Sequence, residues 1–96
     1  KLMKKTALLI NCARGPIVDA QAVADALNND QIAGAGMDVF EVEPPIPASN
    51  PLLNSKNTLV TPHIAFLSEE SMVKRAKIVF DSLDQWMAGN QVNKIC

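Results

Sequence analysis

Ala7-Leu8-Leu9-Ile10 runs without a polar break into Asn11-Cys12-Ala13-Arg14-Gly15-Pro16, and the reading of this stretch decides the fold. An uninterrupted apolar run closed by Gly-Pro reads as a buried parallel strand ending in a tight turn. Arg14 then stands just past the strand's carboxyl end, the edge of an open α/β sheet where ligands bind. Its guanidinium is a planar fork of donors that can grip a carboxylate at two points.

Outward from that turn, Pro16 suits a turn or a helix start, and Asp19 is placed to cap a helix over residues 20–29. Ala22, Val23, Ala26 and Leu27 share one face of it, and Asn28-Asn29-Asp30 ends it. The small-residue run over 32–40 reads as a second buried strand. Strand, helix and strand form a βαβ unit with a right-handed crossover. Gly34-x-Gly36 is not a dinucleotide loop: its glycines lie within or before a strand, no third glycine follows, and no helix opens next. Small residues there allow close backbone approach. Four prolines (Pro44, Pro45, Pro47 and Pro51) fall within 41–54, so regular structure is not expected in that stretch. It reads as a stiff surface loop with Glu43 at its root. A third strand over 58–61 is cut off by Pro62-His63.

The longest element is a helix from Ser68, its cap, to about Ala88, before Gly89-Asn90. Glu69 and Glu70 suit the positive end of its dipole. Met72, Val73, Ala76, Val79, Phe80, Leu83, Trp86 and Met87 form an apolar stripe, with Lys74, Lys77, Asp81 and Asp84 facing the other way. The stripe is richer than three short strands can cover and is expected to pack on another domain or a partner subunit.

Ninety-six residues allow one small domain at most, burying about 60–65% of its unfolded surface. An apolar share of 48% is enough for a core. The formal charge of −1, with no basic run or aromatic ladder, speaks against nucleic acid and anionic membranes as partners. No apolar segment reaches the ~18 residues of a membrane span, and Lys1-Leu2-Met3-Lys4-Lys5 has too little apolar length for a signal peptide. Cys12 and Cys96 make neither a disulfide framework nor a metal site, which fits a reducing, cytoplasmic setting. The chain opens almost directly on a strand with nothing before it to cover that strand. It is therefore expected to be the tail end of a longer polypeptide.

Arg14, Glu43 and His63 each follow a separate strand on the same sheet edge. Singly, each has a plain explanation as a surface charge, loop decoration or packed imidazole. Together, at matching strand ends, they mark a candidate site.

Three ordered segments carry a resemblance. They are Leu9-Ile10-Asn11-Cys12-Ala13-Arg14-Gly15-Pro16-Ile17-Val18-Asp19, Gly34-Ala35-Gly36-Met37-Asp38-Val39-Phe40-Glu41-Val42-Glu43-Pro44 and Thr61-Pro62-His63-Ile64-Ala65. From about Met3 to the end of the long helix the chain resembles the D-isomer-specific 2-hydroxyacid dehydrogenases, a family that includes phosphoglycerate, glycerate (hydroxypyruvate), formate and D-lactate dehydrogenases. The resemblance implies an α/β fold: the second half of a Rossmann-type doubly wound parallel sheet, of three strands, plus a long C-terminal helix. Residues 1–65 would be the C-terminal half of the nucleotide-binding domain. Residues 66–96 would be the helix that returns to a substrate domain.

The resemblance also implies roles. Arg14 matches the arginine that binds the substrate's carboxylate and keto oxygen. His63 matches the histidine that exchanges the proton with that oxygen, and Glu43 the acid that orients the imidazole and favours its protonated form. Asp38 matches the carboxylate that holds the nicotinamide carboxamide, and the main chain at Cys12 and Ala13 lies along the nicotinamide ring. NAD or NADP is the implied cofactor and carries the hydride. The implied partner is a small 2-keto or 2-hydroxy acid, and the full-length protein is expected to be a homodimer. The glycine-rich phosphate loop and the residue choosing NAD or NADP lie upstream of Arg14 in this family. The segment alone is therefore expected neither to hold cofactor tightly nor to turn over. Phe66 either shapes the substrate pocket or simply packs, and Cys12 is more readily a strand-end packing residue than a redox thiol. A second reading is a dinucleotide-sensing regulatory module, like the C-terminal-binding corepressors of the same family. The catalytic trio is compatible with both.

Overall fold

The structure is a computed structural model that describes residues 2–42 and 44–93. The chain forms two compact units, Lys1–Ala65 and Phe66–Cys96.

The first unit is built on β1 (Leu8–Asn11), β2 (Gly34–Met37) and β3 (Thr58–Val60), all parallel in the order β1-β2-β3. β1 is joined to β2 through α1 (Ala20–Asn28). Asp19 caps α1 as its spacing predicts, its carboxylate accepting from the Ala22 N–H at 2.9 Å. The helix stops where Asp30 turns left-handed at φ 52°. The Asp30 and Gln31 N–H groups then reach back to the Leu27 and Ala26 carbonyls, closing the last turn.

The buried face of α1 carries Val23, Ala24 and Leu27. Ala24 takes the place the periodicity gave to Ala22, which is exposed. This face packs with Ile32, Ala35, Met37 and Leu52 into one core, with Leu9, Val18 and Phe40 at its margin. Leu27, Met37 and Leu52 are fully buried, each worth roughly 1.5–3 kcal/mol of burial. Leu52 arrives on a 3₁₀ turn, Pro51–Asn54, inside the stretch expected to hold no regular structure. Prolines fit there because that position needs no N–H, and Asn50 caps the turn by accepting from the Leu52 N–H.

β1 differs from its expectation in one respect. It is a parallel strand, but alternate side chains, Leu8 and Ile10, are 66% and 71% exposed. Alternation sends Leu9 and Asn11 toward α1 and Leu8 and Ile10 to the opposite face. Among the described residues of this unit that opposite face carries no second layer, and Leu59 of β3 is likewise exposed there.

The second unit is dominated by α2 (Glu69–Met87). Ser68 caps it by accepting from the Ser71 N–H at 3.1 Å. It ends on Gly89 at φ 82°, with Gly89 and Asn90 donating to the Trp86 and Gln85 carbonyls. The apolar stripe is present on α2 and none of its residues is buried. Phe66 has the Arg75 guanidinium over its ring, 5.1 Å from the centroid, a cation–π arrangement. Among the described residues no helix is long and apolar enough to cross a membrane.

Candidate active site

Because the three strands are parallel, all three exits open on one edge of the sheet, with the exit of β2 between the other two. Arg14 leaves β1, Asp38 leaves β2 and His63 leaves β3.

The β1 exit is tied by Asn11, which is 5% exposed. Its Nδ2 donates to the Arg14 carbonyl at 2.9 Å and its Oδ1 accepts from the Ala13 N–H at 3.1 Å. The side chain bridges the turn as a backbone hydrogen bond would, so the 12–14 backbone is held while its side chains face outward. Cys12 is exposed, not packed at the strand end; β1 ends here, and no described residue of the unit buries its side chain. Arg14 is exposed, and its Nη1 donates to the Ala13 carbonyl at 2.8 Å. The next residue, Gly15, is buried against the backbone of Phe40 and Glu41. That contact sets the Arg14 loop directly against the loop that follows β2.

Asp38 is 3% exposed and hydrogen-bonded to the turn after β3. Its Oδ1 accepts from the Thr61 hydroxyl at 2.5 Å and the Ile64 N–H at 2.8 Å, and its Oδ2 accepts from the Ala65 N–H at 2.9 Å. Its main-chain carbonyl accepts from the His63 N–H at 2.9 Å. Burial pushes the Asp38 carboxyl up. The hydrogen bonds from Thr61, Ala65 and Ile64 and the nearby charge of His63 outweigh that and hold it below the ordinary value of 3.8.

His63 sits in the left-handed region at φ 57°, uncommon for a residue with a side chain although histidine is among those that tolerate it. With Thr61 it walls a narrow recess completed by Phe40, Val42, Pro44 and Ile46. Glu43, the third member of the expected catalytic trio, lies outside the described residues, as does Cys96. A separate cavity of about 510 Å³ beside α1, lined mainly by Leu9, Val18, Val23, Ala26 and Ile32, holds none of the described site residues.

The roles of Asn11, Gly15 and Thr61 were not read from the sequence. An Asn at a strand end whose side-chain oxygen accepts from the N–H two residues on is a recognisable turn signal. Thr61 carries no such mark, since only the packing of β3 beside β2 brings it to Asp38.

Residues 1–65 match the family described as D-isomer specific 2-hydroxyacid dehydrogenase, NAD binding domain, and the chain belongs to that family. Among its relatives, a hydroxypyruvate reductase of Blautia hydrogenotrophica is 39% identical over 97% of this chain and 29% of its own length. A glyoxylate reductase of Korarchaeum cryptofilum is 45% identical over 91% of this chain and 26% of its own. Among solved structures, an acyclic imino acid reductase in complex with NADPH and D-Arg superposes with a TM-score of 0.82 at 33% identity, covering 99% of this chain and 30% of that one. The chain thus spans between a quarter and a third of the length of these relatives. The three parallel strands, the long C-terminal helix and the α/β class are those expected from the sequence.

Proposed function

We propose that this chain is the catalytic-edge portion of an NAD(P)-dependent oxidoreductase that interconverts a small 2-keto acid and the corresponding 2-hydroxy acid. The observation that carries the reading is the shared sheet edge. In a chain of this family, Arg14 and His63 stand on two outer strand exits with Asp38 between them.

The residues present suit a nicotinamide. Among the described residues Asp38 Oδ1 has two donors and Oδ2 one, which suits Oδ2 to accept a carboxamide N–H as well. The exposed residues Cys12 and Ala13, on a turn held by Asn11, offer a surface for the ring. When bound, the dinucleotide supplies or takes the hydride. The chain's own residues do the rest. Arg14 binds the carboxylate through its planar fork and holds the keto carbon in place. His63 donates a proton to the keto oxygen as negative charge grows on it, and takes it back in the oxidative direction. Glu43 is assigned, by family resemblance, to orient that imidazole.

Glyoxylate and hydroxypyruvate are the first substrates to try. They are the acids for which the relatives are named. The relatives' names favour the oxidoreductase over the corepressor-type reading. Assignment of residues 66–96 as the helix returning to a substrate domain, homodimeric assembly and a cytoplasmic setting belong to the same proposal, on the family's pattern and the cysteine usage. The test is an assay of the intact protein on glyoxylate, hydroxypyruvate and pyruvate with NADH and with NADPH. Dinucleotide oxidation dependent on one of these acids is expected. Dinucleotide binding with no turnover on any of them would instead support the sensing module.

A further inference from the structure

We propose that Asp38 is the positioning residue for His63, acting through the backbone of the turn that carries the imidazole. The inference deepens the functional reading above and rests on it for the role of His63.

Every main-chain donor in the turn over 61–65 has a destination on β2 or its exit. Thr61 N–H goes to the Met37 carbonyl, Pro62 has none to give, and His63 N–H goes to the Asp38 carbonyl. Ile64 and Ala65 N–H go to the two oxygens of the Asp38 carboxylate, one to each. The Thr61 hydroxyl adds a fourth bond to Asp38. Successive N–H groups converging on one anion form a nest, and here the anion is built into the chain. Charge-assisted bonds of this kind are the stronger ones. They enclose a residue, His63, whose left-handed φ of 57° persists only where surrounding structure over-determines it. Three of the four acceptor positions of this carboxylate, 3% exposed, are taken by donors of its own chain and one is left for a ligand. Its larger task is therefore to hold the turn, and with it the direction in which His63 leaves β3.

Thr61→Val is the discriminating variant, because Thr61 touches Asp38 and has no place in the dinucleotide assignment. Asp38→Asn tests the carboxylate itself, and Thr61→Ser should restore what Val loses. Two measurements on the intact protein keep this proposal separable from the functional reading. Amide hydrogen exchange needs no substrate: Thr61→Val and Asp38→Asn are expected to speed exchange at Ile64 and Ala65 by about tenfold or more, with Thr61→Ser near wild type. Steady-state kinetics should then show Thr61→Val lowering kcat about tenfold with KM for the dinucleotide unchanged. Unchanged exchange would overturn the proposal, as would faster exchange with kcat intact. Asp38→Asn raising only the dinucleotide KM would assign Asp38 to the cofactor alone and overturn it too. A wild-type protein inactive on every keto acid defeats the functional reading, and with it the His63 role this proposal assumes.

Discussion

Gly15 lies so close to Phe40 that a Cβ added to it would overlap the Phe40 carbonyl and the Glu41 amide nitrogen. The neighbouring atoms are all backbone, so no side chain can swing aside. The contact fuses the loop after β1 to the loop after β2, and so relates Arg14 to the segment in which Glu43 follows.

Gly15→Ala is therefore expected to destabilise the protein by about 1–3 kcal/mol or more, the range for overpacking that forces backbone to shift. Denaturant unfolding measures the loss. If the variant folds, its KM for the keto acid should rise as the Arg14 loop is displaced.

Asn11→Ala removes two hydrogen bonds from a nearly buried side chain and leaves the Ala13 N–H without that acceptor. A cost of about 1–3 kcal/mol is expected, again read by denaturant unfolding. Because the turn presents Arg14, KM for the keto acid should increase more than KM for the dinucleotide.

His63→Asn is a better probe than His63→Ala, since Asn tolerates the left-handed backbone that Ala resists. Loss of the proton donor should cut kcat by roughly 10²–10⁴-fold, while dinucleotide binding, followed by fluorescence quenching or calorimetry, survives. Lost binding would contradict the proton-donor role.

The depressed ionisation of Asp38 sets a pH window. Its folded carboxyl titrates below the ordinary 3.8, so its ionised form stabilises the fold fully above that value. The contribution is lost as pH falls from 3.8 through the lower folded value. Wild type should lose stability on acidification over that interval more steeply than Asp38→Asn, which has no such proton to bind. Parallel acid-unfolding curves for the two would refute the assignment.

The sequence by itself determined the elements and their order. Apolar runs closed by Gly-Pro and Pro-His mark the first and third strands, the small-residue run marks the second, Asp19 and Ser68 mark the helix starts and Asn28-Asn29-Asp30 the end of α1, because these signals are local and act within a few residues. It also determined that Arg14 and His63 follow strands, which in a parallel sheet puts them on one edge. Only the tertiary structure decided what Asp38 does. Its partners Thr61, Ile64 and Ala65 lie 23 to 27 residues away, and no periodicity reports a hydrogen bond across that distance. The same holds for Gly15, whose need for no side chain comes from the Phe40 backbone arriving from a different strand exit. Pattern reads propensity along the chain, whereas these contacts exist only once β2 lies between its two neighbours.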